Sequence, residues 1–172
     1  MLRVLVASVL IMGVMANVER CPGGFPSPIN ETKCFMMVSE RKSYGQAVKA
    51  CMAMPNYNLA EISDPLENDE LEGRGAAISE VYFWIGLVDV DGSGKWEWLN
   101  GRKLGYRNWE RNNWKWFPTR KVLAQCVALN TLTGTWENHD CGRKYPYFCS
   151  NQQYEESKIF RKLSVLLRAK SR

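Results

Sequence analysis

The sequence predicts one α+β domain with two helices, small antiparallel sheets and a long irregular loop. Two helix patterns with capping residues come first, and β-prone runs separated by turns follow, which favours the α+β class. The six cysteines are an even number and indicate disulfides within this domain. At 172 residues the chain has room for one ordinary domain and short extensions.

The first predicted helix begins at Ser43. Apolar residues between Tyr44 and Met52 recur with helical spacing, and they place Cys51 on the buried face. Ser43 and Gln46 have the spacing of a capping box, in which each side chain satisfies a backbone N–H of the first turn.

The second predicted helix begins at Asp64. Pro65 suits the first helical position, because proline lacks the N–H that would be unsatisfied there. Glu67 is spaced to close a second capping box. Gly73 and Gly75 predict that this helix ends near them.

The second half of the domain has strand and loop patterns. Residues 81–88 form a β-prone apolar run, residues 96–99 alternate, and Asn100-Gly101 is typical of a hairpin turn. Residues 102–125 show neither the helical nor the strand spacing of apolar residues, which predicts a loop. A loop of that length in a compact domain is usually functional. Short closing strands are predicted at residues 126–130, 135–136 and 147–149.

The first residues of the chain predict where the protein is located. An apolar run from Val4 to Val14 follows Arg3, and Ala16 stands where signal peptidase prefers a small residue. We therefore predict a signal peptide at residues 1–16, a domain at residues 17–150 and a secreted, extracellular protein. An uncleaved N-terminal anchor is the alternative.

Charge separates the tail, residues 151–172, from the domain. Residues 17–150 carry equal numbers of basic and acidic side chains, whereas the tail is basic and has apolar residues at helical spacing. A neutral domain argues against nucleic acid as a partner. A basic amphipathic tail would contact a membrane surface, dock on a partner or form a homo-oligomer; an extension without a stable helix is the alternative.

The cysteines predict disulfides, because all six follow the signal peptide. Their number alone leaves 15 pairings open. A zinc site is disfavoured, since the chain has no C-x-x-C pair and its one histidine, His139, is expected at the surface.

Residues 21–34 are rich in Gly and Pro and favour a small hairpin. Asn30 within it is the acceptor of an N-glycosylation sequon, either used or unused.

Taken in order, the motifs of residues 21–150 resemble the long form of the C-type lectin-like family. The resemblance rests on Trp84-Ile85-Gly86-Leu87, Trp96-x-Trp98, Asn100-Gly101, Asn108-Trp109, Gly134-x-Trp136, Tyr147-Phe148-Cys149 and the places of the other cysteines. It implies the C-type lectin-like fold and the disulfides Cys21–Cys34, Cys51–Cys149 and Cys126–Cys141. The tail and the overall layout are also similar to the perlucin group of mollusc shell lectins.

The resemblance further implies a site for at most one Ca²⁺, which protein oxygens would share with two hydroxyls of a sugar. The family takes its ligands from a Glu-Pro-Asn triplet, a Glu before a cysteine and an Asn-Asp pair. The matching candidates for metal and carbohydrate binding are Glu110, Asn112, Glu137 and Asn138. Trp114 is a candidate to stack on the sugar, with packing under the loop as the alternative.

Three departures from the family pattern weaken this site. Arg111 replaces the proline of the triplet, and Ala124 replaces the Glu before the cysteine. Glu137 and Asn138 keep one carboxylate and one amide in swapped order. The remaining two carboxylates predict a calcium affinity between micromolar and millimolar. The alternative is that the site has been lost.

Two functions follow from the resemblance. The first is a secreted lectin that binds glycans or glycoproteins, in innate defence or a shell matrix. The second is a calcium-independent module that binds protein or mineral surfaces. We expect no enzyme, because with all cysteines bridged the single His139 has no nucleophile beside it.

Overall fold

The computed structural model describes residues 21–89, 94–111 and 125–151. Their elements are β1 (Phe25–Pro26), β2 (Cys34–Lys42), α1 (Tyr44–Met52), β3 (Tyr57–Leu59), α2 (Pro65–Ala77), β4 (Tyr82–Asp89), β5 (Glu97–Trp98), β6 (Gln125–Asn130), β7 (Trp136–His139) and β8 (Tyr145–Asn151). The predicted signal peptide and all but the first residue of the tail lie outside these ranges. Within them, no helix has the length and apolar character needed to cross a membrane.

The strands form one sheet in the order β1-β2-β8-β4-β6-β7, with β3 beside β8 and β5 beside β4. The pairings are antiparallel except between β4 and β8, where Trp84 lies opposite Tyr147 in parallel. This parallel contact joins the expected small antiparallel sheets into a single one. The α+β fold class is confirmed, with the last strand, β8, at the centre.

Strand β4 is buried on both faces, which explains its unbroken apolar run. Phe83, Ile85 and Leu87 point into a core that also holds Leu71 of α2, the α2-side core. Trp84 packs with the residues of α1 on the opposite face, the α1-side core. Gly86 and β3 approach closely: a Cβ at Gly86 would lie 2.5 Å from the Leu59 carbonyl oxygen.

Both helices begin where the sequence predicts. The Ser43 N–H donates to Gln46 Oε1 over 3.1 Å, which is the Gln46 half of the capping box. The Asp64 side chain accepts from the Leu66 N–H at 2.8 Å. The predicted end of α2 near Gly73 and Gly75 is wrong, because the helix continues to Ala77.

Gly75 has a packing role instead of ending the helix. A Cβ there would lie 2.8 Å from the Phe83 ring and 2.5 Å from Thr131 Cγ2. Only glycine therefore lets α2 approach the sheet this closely, and this tertiary contact outweighs the low helix propensity of glycine.

The second capping box, predicted for Glu67, is also wrong. This carboxylate is fully buried, and its Oε2 accepts from Lys33 Nζ at 2.7 Å and from the Ser63 N–H at 2.8 Å. Its Oε1 accepts from Ser27 Oγ at 2.7 Å. Burial would raise the pKa of Glu67, but the Lys33 ammonium and these hydrogen bonds outweigh burial and lower it.

The three disulfides implied by the resemblance are present. Cys21–Cys34 closes the N-terminal hairpin, and Cys126–Cys141 links β6 to the chain just after β7. Cys51–Cys149 joins α1 to β8 across a sequence separation of 98 residues.

The hairpin predicted at Asn100-Gly101 is not formed. Gly101 has φ +81° and its N–H donates to the Trp98 carbonyl at 2.9 Å, so the pair makes a tight turn. However, β5 pairs with the preceding β4, and residues 102–108 add no strand after the turn. Strands β7 and β8 are longer than predicted, since each gains ladder partners from a neighbouring strand.

Candidate functional site

Residues 108–110 lie beside the edge strand β7. Trp109 forms a parallel β-bridge with Trp136, and the Trp136 N–H donates to the Asn108 carbonyl at 2.7 Å. The Glu110 N–H donates to the Trp136 carbonyl at 3.1 Å. Residues 108–110 therefore extend the sheet edge before the chain enters the loop.

Trp109 anchors this segment to the α2-side core. Its ring lies 4.8 Å from that of Trp96 and 5.9 Å from that of Trp136. Trp136 is itself fully buried, and its Nε1–H donates to Asn68 Oδ1 at 2.7 Å. The first candidate ligand, Glu110, thus follows directly on a fixed aromatic residue.

Glu110 is half-buried, and its carboxylate faces the start of β7. Its Oε2 accepts a hydrogen bond from Thr135 Oγ1 at 3.2 Å. Because Trp109 and Trp136 face the same core, the next residues, Glu110 and Glu137, share the opposite face of the sheet edge.

Glu137 is held by neighbours on the α1 side of β7. Its Oε1 accepts from Asn130 Nδ2 at 2.7 Å, and its Oε2 lies 3.4 Å from His139 Nε2. His139 Nδ1 in turn lies 2.9 Å from the Tyr145 hydroxyl. This carboxylate therefore has partners supplied by the protein.

The expectation that His139 is a surface residue is wrong. Its side chain is 10% exposed and packs among aromatic rings, with the Tyr82 centroid at 4.7 Å and the Tyr145 centroid at 5.4 Å. Burial lowers the pKa of His139, and the Glu137 carboxylate opposes that effect only in part. Burial therefore favours the neutral imidazole over the charged form.

Asn138 points to the other face of β7, because neighbouring residues of a strand alternate. Its Nδ2 donates to Gln125 Oε1 of β6. The two halves of the Glu137-Asn138 pair therefore project on opposite sides of the sheet edge.

Calcium requires six to eight oxygens converging on one point. Within residues 21–89, 94–111 and 125–151, no three His, Cys, Asp or Glu side chains lie close enough to hold a metal ion. Glu110 and Glu137 share a face, and Asn138 does not. Asn112, Trp114 and Ala124 lie outside the described residues. The described residues alone thus do not form a calcium site.

A cavity of about 610 Å³ lies away from this edge. It opens between the N-terminal hairpin, the start of α2 and the segment after β5, and Trp98 and Lys33 belong to its lining. Its deepest charges are already paired, because Lys33 Nζ contacts Glu67, the Glu61 carbonyl at 3.0 Å and Ser63 Oγ at 3.4 Å. Sequence patterns did not reveal this cavity, since its walls come from three distant segments.

Comparison with known proteins gives the family. The model of the lectin C-type domain matches residues 40–151, and the chain therefore belongs to the C-type lectin domain family. The family consists of binding modules, so the protein is not an enzyme.

Two relatives named as lectins are of similar length, whereas the match covers only 7% of the C-type mannose receptor 2 of Mus musculus. The chain is 30% identical over 159 residues to C-type lectin lectoxin-Lio3 of Erythrolamprus poecilogyrus, covering 88% of this chain and 92% of that protein. It is 27% identical over 144 residues to lectin BRA-3 of Megabalanus rosa, covering 82% and 85%. The carbohydrate-recognition domain of cow CD23, crystallised in the presence of a GlcNAc2Man3 oligosaccharide, superposes with TM-score 0.58 at 27% identity, covering 72% and 90%.

Proposed function

We propose that this protein is a secreted lectin that binds glycans through the loop following Trp109, assisted by a weak calcium site. Membership of the family and similarity to proteins named as lectins support glycan binding. The observation that carries the proposal is the place of Glu110. Its N–H bonds to the Trp136 carbonyl at 3.1 Å, so the loop ligand adjoins the Trp136-Glu137-Asn138 motif, which is far away in sequence.

The proposed ligands are Glu110, Asn112 and Glu137, with Trp114 stacking on the sugar. Asn138, the fourth predicted ligand, would have to leave Gln125 and turn from the opposite face of β7 to join them. When bound, the ion would supply a positive centre for two sugar hydroxyls. To coordinate the ion, Glu137 would have to lose its contacts with Asn130 and His139. Glu110 would have to lose its hydrogen bond from Thr135. Since this exchange costs free energy, we expect a dissociation constant of about 10⁻⁴–10⁻³ M or weaker for calcium.

Isothermal calorimetry of calcium, with and without mannose, tests this proposal. Glu110→Gln keeps the shape and removes the charge, so it should weaken calcium binding at least about tenfold, which corresponds to 1.4 kcal/mol. Glu70→Gln, an exposed change on α2, is the matched control and should leave the titration unchanged. Absence of heat up to about 10 mM calcium, well above the weakest extracellular sites, would refute the calcium site.

A second candidate function is a calcium-independent module that binds protein or mineral surfaces. The observation favouring it is that Glu110 and Glu137 already have hydrogen-bond partners within the protein. Ligand binding that is unchanged by a chelator would support this candidate over the first.

Secretion and modification belong to the same proposal. We infer that residues 1–16 are removed during export, because disulfides such as those present here form in oxidising compartments. We also infer that Asn30, which is exposed, is glycosylated. The tail would raise glycan avidity if it joined several chains, since multivalency strengthens weak sites.

A further inference from the structure

The 610 Å³ cavity beside the N-terminal hairpin has the size of a small-ligand site. Its lining includes Ile29, Asn30, Glu61, Arg102, Lys103 and Tyr106. Of the candidate calcium ligands that the structure describes, Glu110, Glu137 and Asn138 do not belong to this lining.

The walls combine the groups that a sugar ring requires. Sugar hydroxyls both donate and accept, and the C–H face of a pyranose packs on apolar or aromatic surface. The Arg102 side chain is 63% exposed and lies 3.5 Å from the Glu61 carboxylate, so donors and an acceptor stand together. Ile29 is 47% exposed, and the half-buried Tyr106 ring packs edge-on to Trp136 with centroids 5.5 Å apart.

Asn30, the predicted glycosylation acceptor, is one of the residues that line this cavity. Its Oδ1 accepts from the Thr32 N–H at 3.0 Å and from Thr32 Oγ1 at 2.8 Å. Both contacts use the oxygen, so the amide Nδ2, the atom that carries N-linked sugars, is directed away from Thr32. An exposed asparagine in this turn is accessible to the modifying enzyme.

The loop around Asn30 is held firmly. The Lys33 N–H donates to the Asn30 carbonyl at 2.9 Å, and the Ser27 N–H donates to the Lys33 carbonyl at 2.8 Å. The Cys21–Cys34 disulfide closes the same hairpin. Because the loop is ordered, a sugar attached to Asn30 would already have restricted orientations. It would therefore lose little conformational entropy on docking.

We propose that this cavity is the seat of the first N-acetylglucosamine of a glycan carried by Asn30, packed against Tyr106 and within hydrogen-bond reach of Arg102. The inference rests on the glycosylation included in the proposed function. In the transfer, a lipid pyrophosphate-linked oligosaccharide is the donor: its C1–O bond breaks, the Nδ2–C1 bond forms, one amide proton leaves, and the lipid pyrophosphate departs. The docked sugar stabilises the hairpin against the segment after β5.

The test uses the full chain secreted from cells that attach high-mannose glycans. Endoglycosidase H trims the glycan to one N-acetylglucosamine, and Asn30→Gln removes the glycan entirely. We expect the trimmed protein to keep the melting temperature of the untrimmed one. The Asn30→Gln protein should melt lower by roughly 2–4 °C. Thr32→Ala, which keeps Asn30 but destroys the sequon, should reproduce that decrease.

Tyr106→Ala completes a double-mutant cycle, which separates the sugar contact from any loss due to the tyrosine itself. In the Tyr106→Ala background the glycan should no longer change the melting temperature. Tyr82→Ala, a half-buried tyrosine outside the cavity, is the matched control and should preserve the difference.

Three results would overturn the inference: an unmodified Asn30 by mass spectrometry, equal melting of trimmed and Asn30→Gln proteins, or a glycan effect that survives Tyr106→Ala. The calcium titration reports separately on the lectin site. Its failure would leave the melting comparison intact.

Discussion

Replacing Glu67 by alanine would leave the Lys33 ammonium buried without its carboxylate. Glu67 is 0% exposed and Lys33 is 8% exposed, with 2.7 Å between Lys33 Nζ and Glu67 Oε2. The other Lys33 partners, the Glu61 carbonyl and Ser63 Oγ, are neutral. Breaking a buried pair from one side typically costs about 3–5 kcal/mol, and we expect that loss here. In a domain of this size it lowers the melting temperature by roughly 10–20 °C.

Thermal unfolding followed by circular dichroism measures this loss. The control is Glu70→Ala on the same helix, where the exposed pair with Arg74 should contribute less than about 0.5 kcal/mol. Lys33→Met combined with Glu67→Leu removes both charges and should be far less harmful than Glu67→Ala alone. Equal losses for Glu67→Ala and Glu70→Ala would refute the assignment of Glu67 as a buried structural charge.

The effect of Glu67 should also depend on pH in a defined direction. The pKa of Glu67 in the folded protein lies below its ordinary value of 4.5. Its stabilisation is therefore complete above pH 4.5 and is lost as the pH falls through the folded-state pKa. The difference between wild type and Glu67→Ala should shrink in acid.

Two further predictions concern other parts of the domain. Removing Cys51–Cys149, which spans 98 residues, should cost about 4–5 kcal/mol, whereas removing Cys21–Cys34, which spans 13, should cost about 3 kcal/mol; denaturant titrations that reverse this order would contradict the chain-entropy argument. Because burial lowers the pKa of His139 below 6.5, its contribution to stability is present above pH 6.5 and is lost as the pH falls through the folded-state pKa. His139→Phe should flatten the pH dependence of melting below pH 6.5, and an unchanged profile would exclude this role.

The fold could be predicted to a large extent, because its signals are local or ordered along the chain. The start of α1 depends on Ser43 and Gln46, three residues apart, and the apolar run of β4 is readable without its neighbours. Glu67 shows where such reasoning fails. Its spacing fits a helix cap, but its partner Lys33 lies 34 residues away, and only the folded chain brings the two together.

The candidate site was less predictable for the same reason. Motif order pointed to Glu137 and Asn138, and a period of two along a strand separates adjacent side chains onto opposite faces. That separation follows from the sequence once the strand is placed at Trp136–His139, two residues longer than predicted. The partners of Glu137 do not follow, since Asn130 and the packed His139 depend on how β6, β4 and β8 meet.

The central position of β8 has a consequence for synthesis. Because a ribosome delivers the chain from its N-terminus, β2 and β4 emerge long before the strand that lies between them. Until residues 145–151 leave the exit tunnel, both strands expose edges that pair with β8 in the folded domain. Cys51 cannot form its disulfide until Cys149 has been synthesised. The Cys51–Cys149 bond can therefore close only after β8 has been synthesised, whereas the cysteines of Cys21–Cys34 are available from the start.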